Sequence, residues 1–363
     1  MSDAAPPKPS DEERNPTFVY VCSGSGARGG GIHLYRLQTK NLDVSQNITL
    51  VPLGLAAEGA HASFLELDVP RRLAFALHET DEGAASAYKI EPDGRLRLVN
   101  RSPSEGRRPA HLVLHPGGRH LLVANSDGVA VLPVSEDGTL GRATPLPAGK
   151  DGRIQGVAFD IAGRFAFACD SAQDKVLVYR FEPGPGSLAP HETPHVALAA
   201  GAGPRRIAFR PDGRFAYVAS ERASTLTVFA YDAAAGTLVE SQVVSTLPEY
   251  FDGANAAGEV AVHPAGGYLY VSNRGHDSVV LFRIDAAQGT LTYVEEQGTG
   301  GRSPRHFGVE PSAAHLAIGN ESSDTVLASR IDAGNGRLKP SGVFASAPSP
   351  ICVKFLPPPG ASA

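Results

Sequence analysis

The chain has 363 residues, 42% of them hydrophobic, with 40 glycines and 29 prolines. Glycine and proline cost about 1 and about 3 kcal/mol per helix-interior position, so this composition excludes long helices, while the apolar content excludes disorder and suffices for a sizeable core. Thirty-three basic against 38 acidic residues leave a formal charge of −5, which excludes the broad basic surface that nucleic acid needs.

In chain order, the first sixteen residues (MSDAAPPKPSDEERNP) lack the apolar core of a signal peptide and read as a solvated tail. Two alternating segments follow, TFVYVCSG and GIHLYRLQ, separated by the glycine-rich run SGSGARGGG at 23–31. No helix follows that run, so it reads as a hairpin loop and not as a phosphate cradle. One phrase then recurs: a strand, a turn, a second strand and a closing polar residue. It appears weakly as FLELDVPRRLAFALHE from Phe64, then as HLVLHPGGRHLLVANS from His111 and GVAFDIAGRFAFACDS from Gly156. It returns as RIAFRPDGRFAYVASE from Arg206, EVAVHPAGGYLYVSNR from Glu259 and HFGVEPSAAHLAIGNE from His306, with a half copy, CVKFLPP, from Cys352. A third alternating strand follows each copy, such as TLTVFAYD (225–232) or SVVLFRID (278–285), and then a short fourth.

The copies start at intervals of 45 to 53 residues. Four strands in such a period is the unit of a β-propeller blade. The fold class is therefore all-β, a seven-bladed propeller of four-stranded antiparallel blades. Its last blade is completed when the N-terminal strands join the inner strand 352–357, which removes exposed sheet edges. One domain is expected over 17–357, with a C-terminal tail at 358–363. No apolar run approaches the roughly 18 residues of a membrane-spanning helix, so no membrane association is expected. Three cysteines, Cys22, Cys169 and Cys352, favour a reducing cytoplasm over a disulfide framework.

Within a hairpin, the start of the first strand and the end of the second share one face of the ring. Aligning the copies therefore gathers distant residues at one mouth of the channel. The first strands contribute His111, Gln155, Arg205, Arg206, Glu259, Arg305 and His306, with Arg153 just before; the second-strand ends contribute Glu221, Asn273, Arg274 and Glu321. Such a set reads either as a belt of ion pairs between blades or as a polar pocket for an anionic or carbonyl ligand. No HxH or HExxH pattern suggests zinc, and no GxSxG elbow suggests a serine hydrolase. Neither a metal nor a cofactor is expected.

The phrases AGPRRIAFRPDGRFAYVASE, VVSTLPEYFDGANAAGEVAVHPAGGYLYVSNRGHDSV and GGRSPRHF resemble the seven-bladed propeller lactonase family, which includes propeller-type 6-phosphogluconolactonases and the carboxy-cis,cis-muconate cyclase. The resemblance implies that Arg205 stands at the family's GPRH arginine, Glu221 at the acid closing the next strand, and Glu259 at the AEI glutamate. It likewise implies that Arg274 is the SNRG arginine and Arg305 the PRxF arginine. Arg153 and Gln155 stand where the family has histidines, and Arg206 replaces the GPRH histidine.

A lactone is an ester, so hydrolysis needs an activated water and a stabilised oxyanion. Glu221 or Glu259 is the candidate base, with Arg205 and Arg274 as electrophilic, substrate-anchoring groups. Arg305 is a second anchor and His306 a proton carrier, while Arg206, Arg153, Gln155, His111 and Asn273 complete the substrate-binding set. The expected partner is a small anionic or lactone substrate, on a monomer or weak dimer. The same groups suit lactonisation of an unsaturated diacid, and a non-catalytic ligand- or protein-binding ring is the reading from another class.

Overall fold

The computed structural model describes residues 16–24, 30–42, 45–57 and 62–359, so most of both expected tails and residues 25–29 of the glycine-rich loop lie outside the described residues. Among these residues, 28 strands form seven four-stranded antiparallel sheets, and the one helical turn is a 3-10 segment at Glu321–Ser323. The first blade is β4 (Phe64–Asp68), β5 (Leu73–His78), β6 (Ala84–Ile90) and β7 (Leu96–Pro103). The next five begin with inner strands β8 (His111–Leu114), β12 (Ile154–Phe159), β16 (Pro204–Phe209), β20 (Ala256–Val262) and β24 (Pro304–Val309). The seventh is β28 (Pro350–Leu356) followed by β1 (Phe18–Ser23), β2 (Ile32–Leu42) and β3 (Ser45–Ala57). Inner strands of successive blades touch all the way round, from β4 through β8 to β28 and back to β4.

Second strands such as FAFACD (165–170) and FAYVAS (215–220) are buried throughout, because both faces of a blade pack on neighbouring blades. Their large side chains lock one blade to the next. Tyr20, Tyr217 and Tyr270 are buried, and each hydroxyl donates to a glycine carbonyl of the following blade: Gly94 at 2.7 Å, Gly289 at 3.0 Å and Gly336 at 2.7 Å. Burial supplies the hydrophobic gain, and the carbonyl answers the one polar atom that goes with it.

A second repeated device fixes the loops around the mouth. The turn after each of several second strands places a residue in the left-handed region, as at Asp174 (φ 50°), Asp277 (φ 57°) and Asp324 (φ 55°). Aspartate tolerates this conformation because its short polar side chain finds local hydrogen bonds. Here the carboxylates accept the backbone N–H of the incoming loop, from Gly203, Ser303 and Ser349, each at 2.7 Å.

The ring closes where β1 pairs antiparallel with β28, with Phe18 opposite Leu356 and Cys22 opposite Cys352. Val19, Val21, Cys22, Cys352, Val353, Phe355 and Leu356 are all buried at this seam. Each large apolar side chain contributes roughly 1.5–3 kcal/mol when buried, so their sum rivals the roughly 5–15 kcal/mol by which a typical domain is stable. Deleting residues 348–363 is therefore expected to abolish cooperative unfolding or sharply lower the melting temperature; calorimetry of the truncated chain tests this, and an unchanged transition would contradict the closure.

Candidate functional site

Simple alternation sends neighbouring residues of a strand to opposite faces, yet both residues of several inner-strand pairs reach the channel. The cause is a β-bulge near the start of these strands. In β16, Pro204 pairs with Ser220 and Arg206 with Ala219, leaving Arg205 as the extra residue. The same insertion leaves Gln155 unpaired in β12 and Arg305 in β24, while Gly258 and Glu259 are passed over in β20. A bulge bends its strand and re-aims side chains. It also explains why these strands begin two or three residues before the recurring phrases do.

Two polar layers result. The upper one lines a cavity of about 570 Å³ at the mouth, walled by seven arginines and two glutamates together with Ser63, Phe64, Ser126, Gln155, Ser171 and others. Glu221 bridges two of the arginines: Arg205 Nη1 donates to Oε2 at 2.9 Å and Arg274 Nη2 to Oε1 at 2.7 Å. Arg305 Nη1 lies 3.1 Å from Glu321 Oε1. Burial pushes the Glu221 carboxyl up, but Arg205 and then Arg274 outweigh it and hold it at about 2. Burial, followed by Arg206 and Arg274, lowers the Arg205 guanidinium to about 9, which leaves it cationic at neutral pH. The Nε–H groups of Arg205 and Arg274 are buried with no acceptor among the described residues, so the cluster is kept at a cost in stability.

The lower layer sits beneath the floor. Arg206 passes down from the cavity wall, donating from Nε to Glu259 Oε2 at 3.1 Å and from Nη1 to the Gln155 carbonyl at 2.5 Å. Gly156 makes this passage possible, since a Cβ there would lie 2.2 Å from the Arg205 carbonyl oxygen and 3.2 Å from Arg206 Nη1. His306 Nδ1 accepts the Val353 N–H at 3.2 Å, which puts the proton of the neutral ring on Nε2, 3.6 Å from Glu259 Oε2. Burial raises the Glu259 carboxyl, yet the Arg206 guanidinium beside it brings it below its ordinary value. His111 accepts from the Val157 N–H and packs edge-on against Phe64, and burial, then Arg206, drives its pKa well below the usual histidine range. Below these, Lys354 pairs with Glu66 at 2.7 Å.

The structure thus brings Arg153, Gln155, Arg205, Arg206, Glu221, Arg274 and Arg305 to one cavity. It sets Glu259, His306 and His111 one layer down, away from the cavity wall. Asn273 is not brought to the site. It is fully buried and donates to the Thr246 carbonyl at 2.7 Å, as Asn125 and Asn320 donate to the Ser104 and Thr299 carbonyls, so this recurring asparagine ties down loops. Two cavity arginines escaped the alignment, Arg108 and Arg222, because both lie in connecting segments outside the recurring phrase. Among the described residues no group of three His, Cys, Asp or Glu side chains is placed to hold a metal, and no helix is long and apolar enough to cross a membrane.

Residues 18–355 match the family described as "Lactonase, 7-bladed beta-propeller". The chain is 30% identical over 348 residues to a 6-phosphogluconolactonase of Bacillus subtilis, covering 92% of this chain and 97% of that one. Among solved structures it resembles the periplasmic gluconolactonase of Pseudomonas aeruginosa, with a TM-score of 0.86 and 28% identity over 95% of this chain and all of that one.

The Glu221 bridge makes stability depend on pH. Its folded pKa of about 2 lies below the ordinary 4.5, so its stabilisation is present above pH 4.5 and is lost as pH falls through 2. Allowing for a carboxylate that is 28% exposed, this amounts to roughly 2 kcal/mol. Glu221→Gln is expected to unfold at lower urea than the wild type at pH 7, with the gap narrowing between pH 4.5 and pH 2; parallel urea titrations measure it, and a gap independent of pH would contradict the assignment.

Proposed function

The chain belongs to the seven-bladed β-propeller lactonase family, and from that premise we propose that it hydrolyses a sugar lactone, or a related anionic lactone, in the cavity at the mouth of its channel. The observation that carries this reading is the Arg205–Glu221–Arg274 bridge. One carboxylate holds two guanidiniums at fixed positions, at 2.9 and 2.7 Å, on the wall of a polar cavity. Each guanidinium has five N–H donors, so one engaged with Glu221 retains others for a ligand. Two preset cations beside a lactone carbonyl stabilise the negative charge that grows on its oxygen as water adds. Their fixed placement matters because nothing then has to reorganise at the moment of reaction.

Glu221 serves in this account as the clamp. A carboxylate held at about 2 is ionised throughout the neutral range but is a weak proton acceptor. Glu259 has the matching role in the layer below, fixing Arg206 as that residue rises into the cavity wall. Arg305 adds a further cation for an anionic substituent on the substrate. The concave, polar lining favours a small molecule over a protein partner, which would call for an exposed apolar face.

Purified protein is expected to release acid from gluconolactone or 6-phosphogluconolactone faster than the spontaneous rate. Arg205→Ala and Arg274→Ala are each expected to lower kcat/KM about 100-fold or more while leaving the fold intact, the usual size for a lost oxyanion donor. Proton-release assays on both lactones, with loss of muconate absorbance followed in parallel, decide the matter: turnover of muconate without lactone opening would favour lactonisation instead.

A further inference from the structure

The half of the cavity wall built by the first three blades differs from the half that carries the Glu221 bridge. Arg205, Arg274, Arg206, Arg222 and Arg305 each face a carboxylate. Across the ring, Glu79, Arg108 and Arg153 line the same cavity and form no ion pair among the described residues. Backbone hydrogen bonds pin the chain at Arg108 and Arg153 and next to Glu79. The Thr80 carbonyl accepts the Arg108 N–H at 2.9 Å, the Arg107 carbonyl accepts the Ser126 N–H at 2.7 Å, and the Arg153 carbonyl accepts the Ser171 N–H at 2.9 Å. Arg108 itself sits in the left-handed region, at φ 44°, the conformation that Gly203, Ser303 and Ser349 also take directly before the proline that precedes or opens their inner strands, so its backbone is fixed by the repeat.

Glu79 directly follows β5, in the place of its blade that Glu221 takes three blades later, as FALHE beside YVASE. There the likeness ends. Glu221 is saturated by two arginines, and Glu259 lies under the floor bound to Arg206. The charged groups that share the wall with Glu79 are Arg108 in the connection to the next blade, Arg153 two blades on and Arg305 two blades back, with the Glu221 bridge across the ring. Of the two carboxylates on the cavity wall, Glu79 alone has no cation locked onto it.

We propose that Glu79 is the proton acceptor of this cavity, a catalytic residue that takes a proton from the attacking water. The proposal rests on the lactonase reading. In the first step the water oxygen bonds to the lactone carbonyl carbon, the carbonyl π pair moves to the oxygen facing Arg205 and Arg274, and the water proton passes to Glu79. In the second step the carbonyl re-forms, the ring C–O bond breaks, and the departing ring oxygen takes the proton back from Glu79. The product is the open hydroxy acid, and the carboxylate is regenerated with no other reactant consumed.

The test is the pH dependence of lactone hydrolysis by wild type, Glu79→Gln and Glu79→Ala, with spontaneous opening subtracted at each pH and folding checked by circular dichroism. Glu79→Gln is expected to lose kcat about 100-fold or more with KM changed less than about 3-fold, and to lose the fall in rate on the acidic side. Added formate is expected to restore some of the rate to Glu79→Ala, which a merely structural role would not allow. An active wild type whose Glu79→Gln variant keeps kcat within about 3-fold, or keeps the acidic fall, overturns the role of Glu79 alone. A wild type that opens no lactone overturns the lactonase reading and the role of Glu79 with it.

Discussion

The pairing of Phe18–Ser23 with Pro350–Leu356 is the constraint on which the rest of the molecule depends. Six blades follow one another along the chain, each able to pair its own four strands locally. Only the seventh draws strands from both ends, and only when it forms do β24 and β4 acquire their last neighbour, β28. An open arc of blades would leave buried faces such as those of Phe64 and Val326 against water. It would also leave the mouth without its far wall, since Ile351 lines the cavity beside Ser63 and Arg305. Closure is therefore a condition for the site as well as for stability.

Closure also crowds charge. The starts of seven inner strands converge, and bulges then direct a second residue from several of them toward the same axis. Guanidiniums brought this close repel one another, a pressure that adds to burial in lowering the pKa of Arg205. Layering relieves it: Glu221 answers Arg205 and Arg274 above, while Glu259 answers Arg206 below. Desolvation makes such pairs poor sources of net stability, and the orphaned Nε–H groups of Arg205 and Arg274 add to the cost. That cost favours the binding site proposed above over a belt that only holds blades together.

The fold was largely legible in the sequence because each blade repeats one phrase, and the phrase carries its own period. Seven starts and an incomplete last copy implied that the chain ends share a blade, as they do. The site was legible only in outline. Equivalent positions in the repeat placed Arg205, Glu221, Arg274 and Arg305 at one mouth, but the bulges carry no strong sequence mark, so Glu259 and His306 were expected a layer too high. Asn273 closes its second strand beside Arg274, which suggested a place at the mouth, yet its kinship with Asn125 and Asn320 was the better guide to what it does. Arg108 was harder to see, because it stands three residues before the recurring phrase, where the other blades carry Gly203, Ser303 and Ser349, and neither glycine nor serine there hints at a charged side chain.

The seam also imposes an order on how the protein comes into being. A ribosome releases the chain from its N-terminus, so β1 emerges with six blades still to be made before its partner β28 exists. Meanwhile VYVCS, an apolar strand with a free edge, must be kept from pairing with other nascent chains. The first blades can assemble during translation, but the cavity at the mouth cannot be completed until the last strand has left the exit tunnel. Whatever the cavity does is then acquired in one step when β28 joins β1, not blade by blade.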